Sequence, residues 1–449
     1  MKLEWKMKEK KFSEVQILAL GFVVLIFTGG LVLTLPISSA SGEWTNFLDS
    51  LFTATSASCV TGLVTLDTGT HWSLFGQTVI MLLIEVGGLG FMSFATFFAI
   101  LLGKRITLKN RLIMQEAMNT FSIQGLVKMV KYVLMFTFAI QLFGALLLSS
   151  QLIPEFGFAK GLFYSVFHSI STFCNAGFDL FGNFTSLTGY YNNPVILLTI
   201  GALIVIGGLG FTVLIEIYNY NGKKKFSIHT KVVLLMTTIL IVGGAISIFL
   251  LEYTNPETLA PMGFRDKVVN SVLASITPRT AGVNSISTDG MTLGGKFLTI
   301  LLMFIGGSPG STAGGLKTST FGIIIFTVIS VVKGREDTEI FGRRFSKELV
   351  YKAFALLFIG MTLVMAVTMM LTITEPGESF ISLLYEATSA FGTVGLTMGV
   401  TTRLSSAGKC IIIVMMYLGR VGPLTVALAL THKHKKSRYK YPEGKVLIG

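Results

Sequence analysis

Four times in 449 residues a short, hydroxyl-rich segment runs into a glycine followed by an apolar residue, with long apolar stretches on both sides. The copies are Ala54-Thr55-Ser56-Ala57-Ser58-Cys59-Val60-Thr61-Gly62-Leu63, His168-Ser169-Ile170-Ser171-Thr172-Phe173-Cys174-Asn175-Ala176-Gly177-Phe178, Ala274-Ser275-Ile276-Thr277-Pro278-Arg279-Thr280-Ala281-Gly282-Val283 and Ala387-Thr388-Ser389-Ala390-Phe391-Gly392-Thr393-Val394-Gly395-Leu396. Their final glycines are 115, 105 and 113 residues apart. A near-constant period of this length marks internal duplication. The short helices predicted over 44–58, 160–174, 265–277 and 379–391 are too short to cross a bilayer and too polar to face lipid. Such segments survive at membrane depth only when buried in protein or lining a water-filled cavity. Four equivalent ones are accommodated most economically around a single cavity. The expected fold is therefore an all-α polytopic membrane protein, with four helix–pore loop–helix repeats in pseudo-fourfold arrangement around one central pore.

Composition agrees with a membrane setting. Half of the residues are hydrophobic (51%) and only 13% are charged, giving a mean hydropathy of +0.71, well outside the range of soluble domains. Apolar runs long enough for a bilayer core of about 30 Å lie roughly at 15–35, 77–103, 126–153, 192–219, 230–251, 294–332, 347–373 and 406–430. The N-terminal run lacks a convincing cleavage site and reads as a retained first helix. The corresponding division is a tail over 1–14, repeats over 15–103, 126–219, 230–332 and 347–430, and a tail over 431–449.

The net charge of +13 raises the question of a nucleic-acid partner, but 27 of the 36 basic residues fall in 1–14, 104–131, 223–231, 333–352 and 432–449. With eight spans these segments share one side. The positive-inside rule places them, and both termini, in the cytoplasm, so no nucleic-acid partner is expected. Three cysteines supply no disulfide framework. Cys59 and Cys174 share an offset three residues before their glycines, where two thiols could meet around a common axis, but they read first as small residues at a tight bend.

A glycine after a short helix adopts positive φ freely and lets carbonyls turn toward a common axis. Rings of carbonyls replace the hydration shell of a cation, and helix C-termini aimed at the axis add negative partial charge. Val60, Thr61, Thr280, Thr393 and Val394 cannot ionise, so coordination is expected from the backbone. Arg279 would repel cations if it faced the axis, and is expected to turn away and brace the filter, paired with a pore-helix carboxylate such as Glu386 or Asp49. Gly87-Gly88-Leu89-Gly90-Phe91 recurs as Gly207-Gly208-Leu209-Gly210-Phe211, which reads as close helix packing through small residues. In the third period the matching place is Gly306-Gly307-Ser308-Pro309-Gly310-Ser311-Thr312-Ala313-Gly314-Gly315, a run that cannot hold a continuous helix. Leu316 stands where a phosphate loop would need lysine. The run reads instead as a flexible constriction or gate. Arg420, inside the last span, is a functional candidate by default, or an ion-pair partner of Glu85. Glu85 itself is a candidate partner of Arg420 or Lys317, or a proton carrier.

With four helix–pore loop–helix repeats, a glycine in each loop and a broken sixth span, the chain resembles the Trk/Ktr/HKT superfamily of cation transporters, and within it the ion-conducting membrane subunit of bacterial Ktr potassium systems. The likeness runs from about Phe12 to Tyr441-Pro442-Glu443-Gly444. It implies a filter formed by Val60, Thr61 and Gly62; Asn175, Ala176 and Gly177; Thr280, Ala281 and Gly282; and Thr393, Val394 and Gly395, with potassium held at their backbone carbonyls. It implies a gate over Gly306–Gly315 with Lys317 and Arg420, and no covalent cofactor. It further implies a homodimer in the bacterial plasma membrane, docked on a separate cytosolic ring of nucleotide-binding regulatory subunits that alone would hold ATP or ADP. Cys59, Cys174 and the Asp179 at the mouth could tune affinity or sodium dependence. A symporter coupled to sodium or protons on the same scaffold remains open, as does, more remotely, a membrane-embedded enzyme. The latter would need a convergent acid–base or metal cluster that this sequence does not display.

Overall fold

The computed structural model describes residues 14–90, 115, 126–222 and 225–422. The tails expected over 1–14 and 431–449 lie, apart from Glu14, outside the described residues, as do the ends expected for the second and eighth apolar runs. Within the described residues the order long helix, short helix, loop, second helix recurs four times. The first group comprises α1 (Glu14–Thr34), α2 (Phe47–Cys59) and α3 (Leu74–Leu89). The second comprises α4 (Leu126–Phe156), α5 (Phe158–Phe173), α6 (Pro194–Leu209) and α7 (Phe211–Tyr218). The third comprises α8 (Ile228–Glu252), α9 (Phe264–Ile276), α10 (Leu293–Phe304) and α11 (Thr318–Val332). A hairpin of β1 (Glu339–Ile340) and β2 (Arg343–Arg344) then leads to α12 (Lys347–Thr374), α13 (Phe380–Gly392) and α14 (Ser406–Val421).

The long helices span a bilayer by length and hydropathy: 16–34, 126–156, 228–252 and 347–374. Their partners do not continue as the sequence suggests. Helix α3 stops at Gly90, α6 at Gly210 and α14 at Gly422, and all three glycines share one conformation, with φ of 81°, 92° and 91° and ψ of 132°, 137° and 129°. After Gly210 the chain turns by 99° into α7. The repeated Gly-Gly-Leu-Gly is thus a helix break as well as a packing element, which corrects the reading from small residues alone. Its first glycine, and the Gly419 that stands in the matching place of Gly419-Arg420-Val421-Gly422 in the fourth group, do pack closely. A side chain at Gly87, Gly207 or Gly419 would collide with the carbonyl of Ser58, Phe173 or Phe391 respectively, in each case four residues before the loop glycine.

One hydroxyl in each short helix answers its own polarity, although Ser50, Thr53 and Ser58 of α2 are buried without a side-chain partner. Thr55, Thr172, Ser271 and Thr388 each donate to the carbonyl four residues back, at 2.6–2.7 Å, so the side chains can be buried without unpaired donors. Each second helix starts where the preceding long helix ends. Glu252 accepts from the backbone N–H and hydroxyl of Thr292 at 3.0 and 2.6 Å, and Glu375 does the same for Ser405. Gln151 meets Asn193 at 3.1 Å.

The groups connect in a circle. Helix α3 packs on α5, α6 on α9, α10 on α13, and α14 on α2. The last contact is fastened by Lys409 Nζ, 2.6 Å from Asp49 Oδ1 in the first turn of α2, with both side chains largely buried. Replacing Lys409 with methionine leaves Asp49 inward and unpaired. We expect a loss of about 1–3 kcal/mol, read as a lower unfolding midpoint in detergent than that of the Asp49→Asn, Lys409→Met double variant.

Candidate cation pathway

Each short helix ends by unwinding into a backbone conformation that most side chains avoid. Val60, Asn175, Thr280 and Thr393, each two residues before the loop glycine, have φ of 59°, 61°, 79° and 50°. The glycines follow at 91°, 71°, 74° and 95°. Three of the four strained residues are β-branched, for which a left-handed conformation costs about 1–3 kcal/mol and persists only where the surroundings impose it. The N–H groups are held from behind. Thr61 N–H donates to Ser56 O (2.8 Å) and Gly62 N–H to Ser56 Oγ (3.0 Å). Val394 and Gly395 repeat this with Ser389, at 2.9 and 3.1 Å. In the middle two copies the hydroxyls of Ser171 and Thr277 instead donate to Phe178 O (2.7 Å) and Val283 O (2.6 Å). These bonds tie the N–H groups of residues 61, 62, 394 and 395 back to their own short helices.

The four loop glycines touch one another in turn. A β-carbon built on Gly62 would lie 3.0 Å from Cα of Gly177, one on Gly177 3.2 Å from Gly282, one on Gly282 3.0 Å from Gly395, and one on Gly395 3.0 Å from Gly62. Each would also run into the carbonyl oxygen preceding the next glycine, those of Ala176, Ala281, Val394 and Thr61. Four segments more than 100 residues apart therefore meet in a closed ring, and Val60, Thr61, Asn175, Ala176, Thr280, Ala281, Thr393 and Val394 are all buried around it. Behind it the Asn175 carboxamide meets the Thr280 hydroxyl at 3.1 Å, so that side chain braces the ring.

All four glycines line a single vestibule of about 750 Å³. Asp67, Asp179, Glu257 and Asp289 line it too. Arg403, also at the rim, is occupied by a two-point pair with Glu378 at 2.8 and 3.1 Å. The mouth therefore concentrates cations.

On the opposite side the run 305–317 folds under the ring. Gly306 N–H donates to Leu316 O (2.9 Å) and Thr318 N–H to Gly307 O (3.1 Å), closing the run into a loop. The break in α6 holds it: Ser308 N–H donates to Gly208 O (2.9 Å), and Phe211 N–H to Gly310 O (2.9 Å). Gly314 and Gly315 rest on the fourth segment, where a side chain on the first would strike Thr393 and one on the second would come 3.2 Å from Cα of Gly392. The guanidinium of Arg420 donates to Thr312 O in this loop, and to Gly87 O and Gly88 O (3.0 Å) at the C-terminal end of α3. Lys317 Nζ donates to Ala313 O at 2.5 Å.

These contacts revise several expectations. Glu85 partners neither Arg420 nor Lys317; its Oε2 accepts from Gln141 (2.8 Å) and Cys174 (3.3 Å). A guanidinium offers a fork of N–H donors, and helix-end carbonyls carrying partial negative charge satisfy Arg420 without a carboxylate. Arg279 turns toward Thr237 O (3.4 Å) in α8 rather than to an acid. Glu386 is taken by Thr397 and Thr401, and Asp49 by Lys409. Cys59 and Cys174 are free thiols in separate apolar clusters, so the two do not meet around a common axis. One expectation from its place on the second short helix does stand: His168 is a satisfied packing residue, with Nδ1 at 2.7 Å from Tyr164 O and Nε2 accepting from Leu180 N–H (3.2 Å).

The sequence profile of the TrkH family, described as cation transport proteins, matches residues 3–440. The chain belongs to the TrkH family. Among curated proteins this TrkH-family chain is 46% identical over 449 residues to the potassium/sodium uptake protein NtpJ of Enterococcus hirae, covering 99% of each chain. It is 44% identical to the Ktr system potassium uptake protein B of Bacillus subtilis, covering 98% of this chain and 97% of that one. The crystal structure of the potassium transporter TrkH from Vibrio parahaemolyticus superposes with a TM-score of 0.72 at 19% identity, over 95% of this chain and 86% of that one. It shares the polytopic helical fold.

The hydroxyls that hold the ring were not singled out from sequence. Ser56, Ser171 and Ser389 all lie six residues before a loop glycine, a register that was available to find them.

Proposed function

We propose that this chain is the channel-like translocating subunit of a potassium uptake system. The carrying observation is the closed ring of four glycines at the floor of one acidic vestibule. A pseudo-fourfold pore built from the repeats 15–103, 126–219, 230–332 and 347–430 accounts for it. Potassium enters from the vestibule, exchanges water for the carbonyls of residues 60–62, 175–177, 280–282 and 393–395, and leaves past the loop 306–315 with Lys317 and Arg420. Identities of 46% and 44% to full-length potassium uptake proteins support this cargo.

The basic segments support a cytoplasmic side for the loop and both termini, and a bacterial plasma membrane as the location. Relatives named as protein B of a Ktr system support a separate partner. We read that partner as a cytosolic ring binding ATP or ADP, serving a homodimer of this chain, with the hairpin 339–344 and its arginines on the docking side. Rubidium uptake into liposomes containing the purified protein tests the central claim; no uptake under any ionic gradient would sink it.

The name of the Enterococcus hirae relative supports a second reading, a symporter coupled to sodium on the same scaffold. Rubidium uptake that requires an imposed sodium gradient, and is lost on Glu85→Gln or Asp179→Asn, would favour it over the channel.

The vestibule carries a pH dependence. Burial pushes the Asp179 carboxyl up to about 7, with the negative charge of Asp67 acting in the same sense and a hydrogen bond from Phe181 N–H opposing both. Asp179 is therefore charged above pH 7 and neutral below. Loss of this charge beside Asp67, Glu257 and Asp289 lowers the local cation concentration. Uptake at sub-saturating rubidium is expected to fall about twofold to threefold from pH 8 to pH 6, and Asp179→Asn to flatten the profile at its low-pH level. An unchanged profile in that variant would remove Asp179 from the account.

A further inference from the structure

Consecutive residues of α13 support two different segments of the ring. Glu386 accepts from Thr397 Oγ1 (2.7 Å) and Thr401 Oγ1, both in the chain that follows Gly395. Tyr385, about 100° further round the helix, lines a small cavity of about 20 Å³ with Thr277, Val283, Ser285, Thr299 and Leu396, adjoining the vestibule, which Ser285 and Leu396 also line. Val283 and Leu396 directly follow Gly282 and Gly395, so the cavity lies behind the ring where its third and fourth segments join. Tyr385 is 0% and Ser285 3% exposed. Neither hydroxyl has a partner within the protein.

Two unpaired hydroxyls on one small cavity are costly if the cavity is dry. A polar site larger than about 10–15 Å³ has room for one water, and this cavity, walled by the hydroxyls of Tyr385, Ser285, Thr277 and Thr299, has that room. Its other polar walls complete the coordination. Thr277 Oγ1 donates to Val283 O (2.6 Å) and Thr299 Oγ1 to Gly295 O (2.8 Å), which leaves both oxygens free to accept. We propose that one ordered water accepts from Tyr385 Oη and Ser285 Oγ and donates to the two threonines, and that this bridge sets the spacing of the third and fourth segments. The proposal rests on the pore reading above and deepens it. Tyr385 and Ser285 act as positioning residues for ion selectivity, since discrimination between cations depends on the geometry and number of carbonyls around the ion.

The test compares Tyr385→Phe, Ser285→Ala and the double variant with the parent protein, in liposomes and in detergent. Rubidium uptake is measured in competition with sodium, and thermal unfolding is followed on the same preparations. Each single variant is expected to lower the rubidium-over-sodium preference about tenfold and the unfolding midpoint by a few degrees. The double variant is expected to lose no more than either single one, because one water serves both. An unchanged preference, additive losses, or a midpoint for Tyr385→Phe equal to or above the parent's would overturn the proposal. The last is the sign expected when a hydroxyl stranded in a dry cavity is removed. Parent protein and Gly395→Asp are run alongside. If the parent takes up no rubidium or Gly395→Asp takes it up normally, the pore reading fails, and the unfolding comparison still decides whether the water is there.

Discussion

Gly62→Asp and Gly395→Asp are each expected to reduce rubidium uptake to the level of empty liposomes. At both positions φ exceeds 90°, a region that costs any residue with a side chain about 1–3 kcal/mol, but strain is the smaller part. A β-carbon at 62 would lie against Ala176 O and Gly177, and one at 395 against Thr61 O and Gly62. The contacting atoms are ring backbone, which cannot swing aside as a long side chain does. The carbonyls of the ring must shift, and a carboxylate is left beside them. Gly62→Ala isolates the steric effect and is expected to lower uptake more than about tenfold without the added charge. Folding is controlled by size-exclusion profile and unfolding midpoint. Wild-type uptake in a well-folded Gly395→Asp protein would refute the ring as the conduction path.

Release of the loop beneath the ring is the second large effect. Arg420 donates to Thr312 O and to the carbonyls of Gly87 and Gly88, tying three of the four groups together at one point. Hydrogen bonds from a charged donor contribute about 1.5–3 kcal/mol each. If all three are made only in the closed arrangement, removing them shifts the balance between closed and open by roughly a thousandfold or more. Arg420→Ala is therefore expected to raise basal rubidium uptake in liposomes holding this chain alone, and deletion within 308–314 to raise it further. Lys317→Met, which removes one bond to Ala313 O, should act in the same direction but more weakly. Basal uptake unchanged in both the Arg420 variant and the deletion would show that the loop does not limit flux.

Local chemistry made much of this legible. The short helices expected over 44–58, 160–174, 265–277 and 379–391 occupy 47–59, 158–173, 264–276 and 380–392. Their composition, polar yet bounded by apolar runs, has few other solutions in a bilayer. The interruption of 294–332 was equally plain, because five glycines and a proline in ten residues exclude a helix. The breaks at Gly90 and Gly210 were not. An isolated glycine in an apolar helix reads as packing, and here the same motif does both jobs, one glycine lying on a carbonyl and another three residues later reversing φ. Side-chain pairings were the least legible. Glu85 and Arg420 look like natural partners in a linear list of buried charges, yet folding delivers neutral partners to both: Gln141 and Cys174 to Oε2 of Glu85, and backbone carbonyls to Arg420.

The four loop glycines and their period were determined by the sequence alone. So was the membrane setting, since hydropathy and charge placement act over short stretches and need no partner to be read. Only the tertiary structure decided that the copies close on each other in the order 62, 177, 282, 395. It also decided that β-branched residues are forced into left-handed backbone beside them, and that the loop 305–317 is fastened by an arginine about 100 residues away. Those outcomes depend on which carbonyl meets which donor across segments distant in the chain, and no local propensity encodes that.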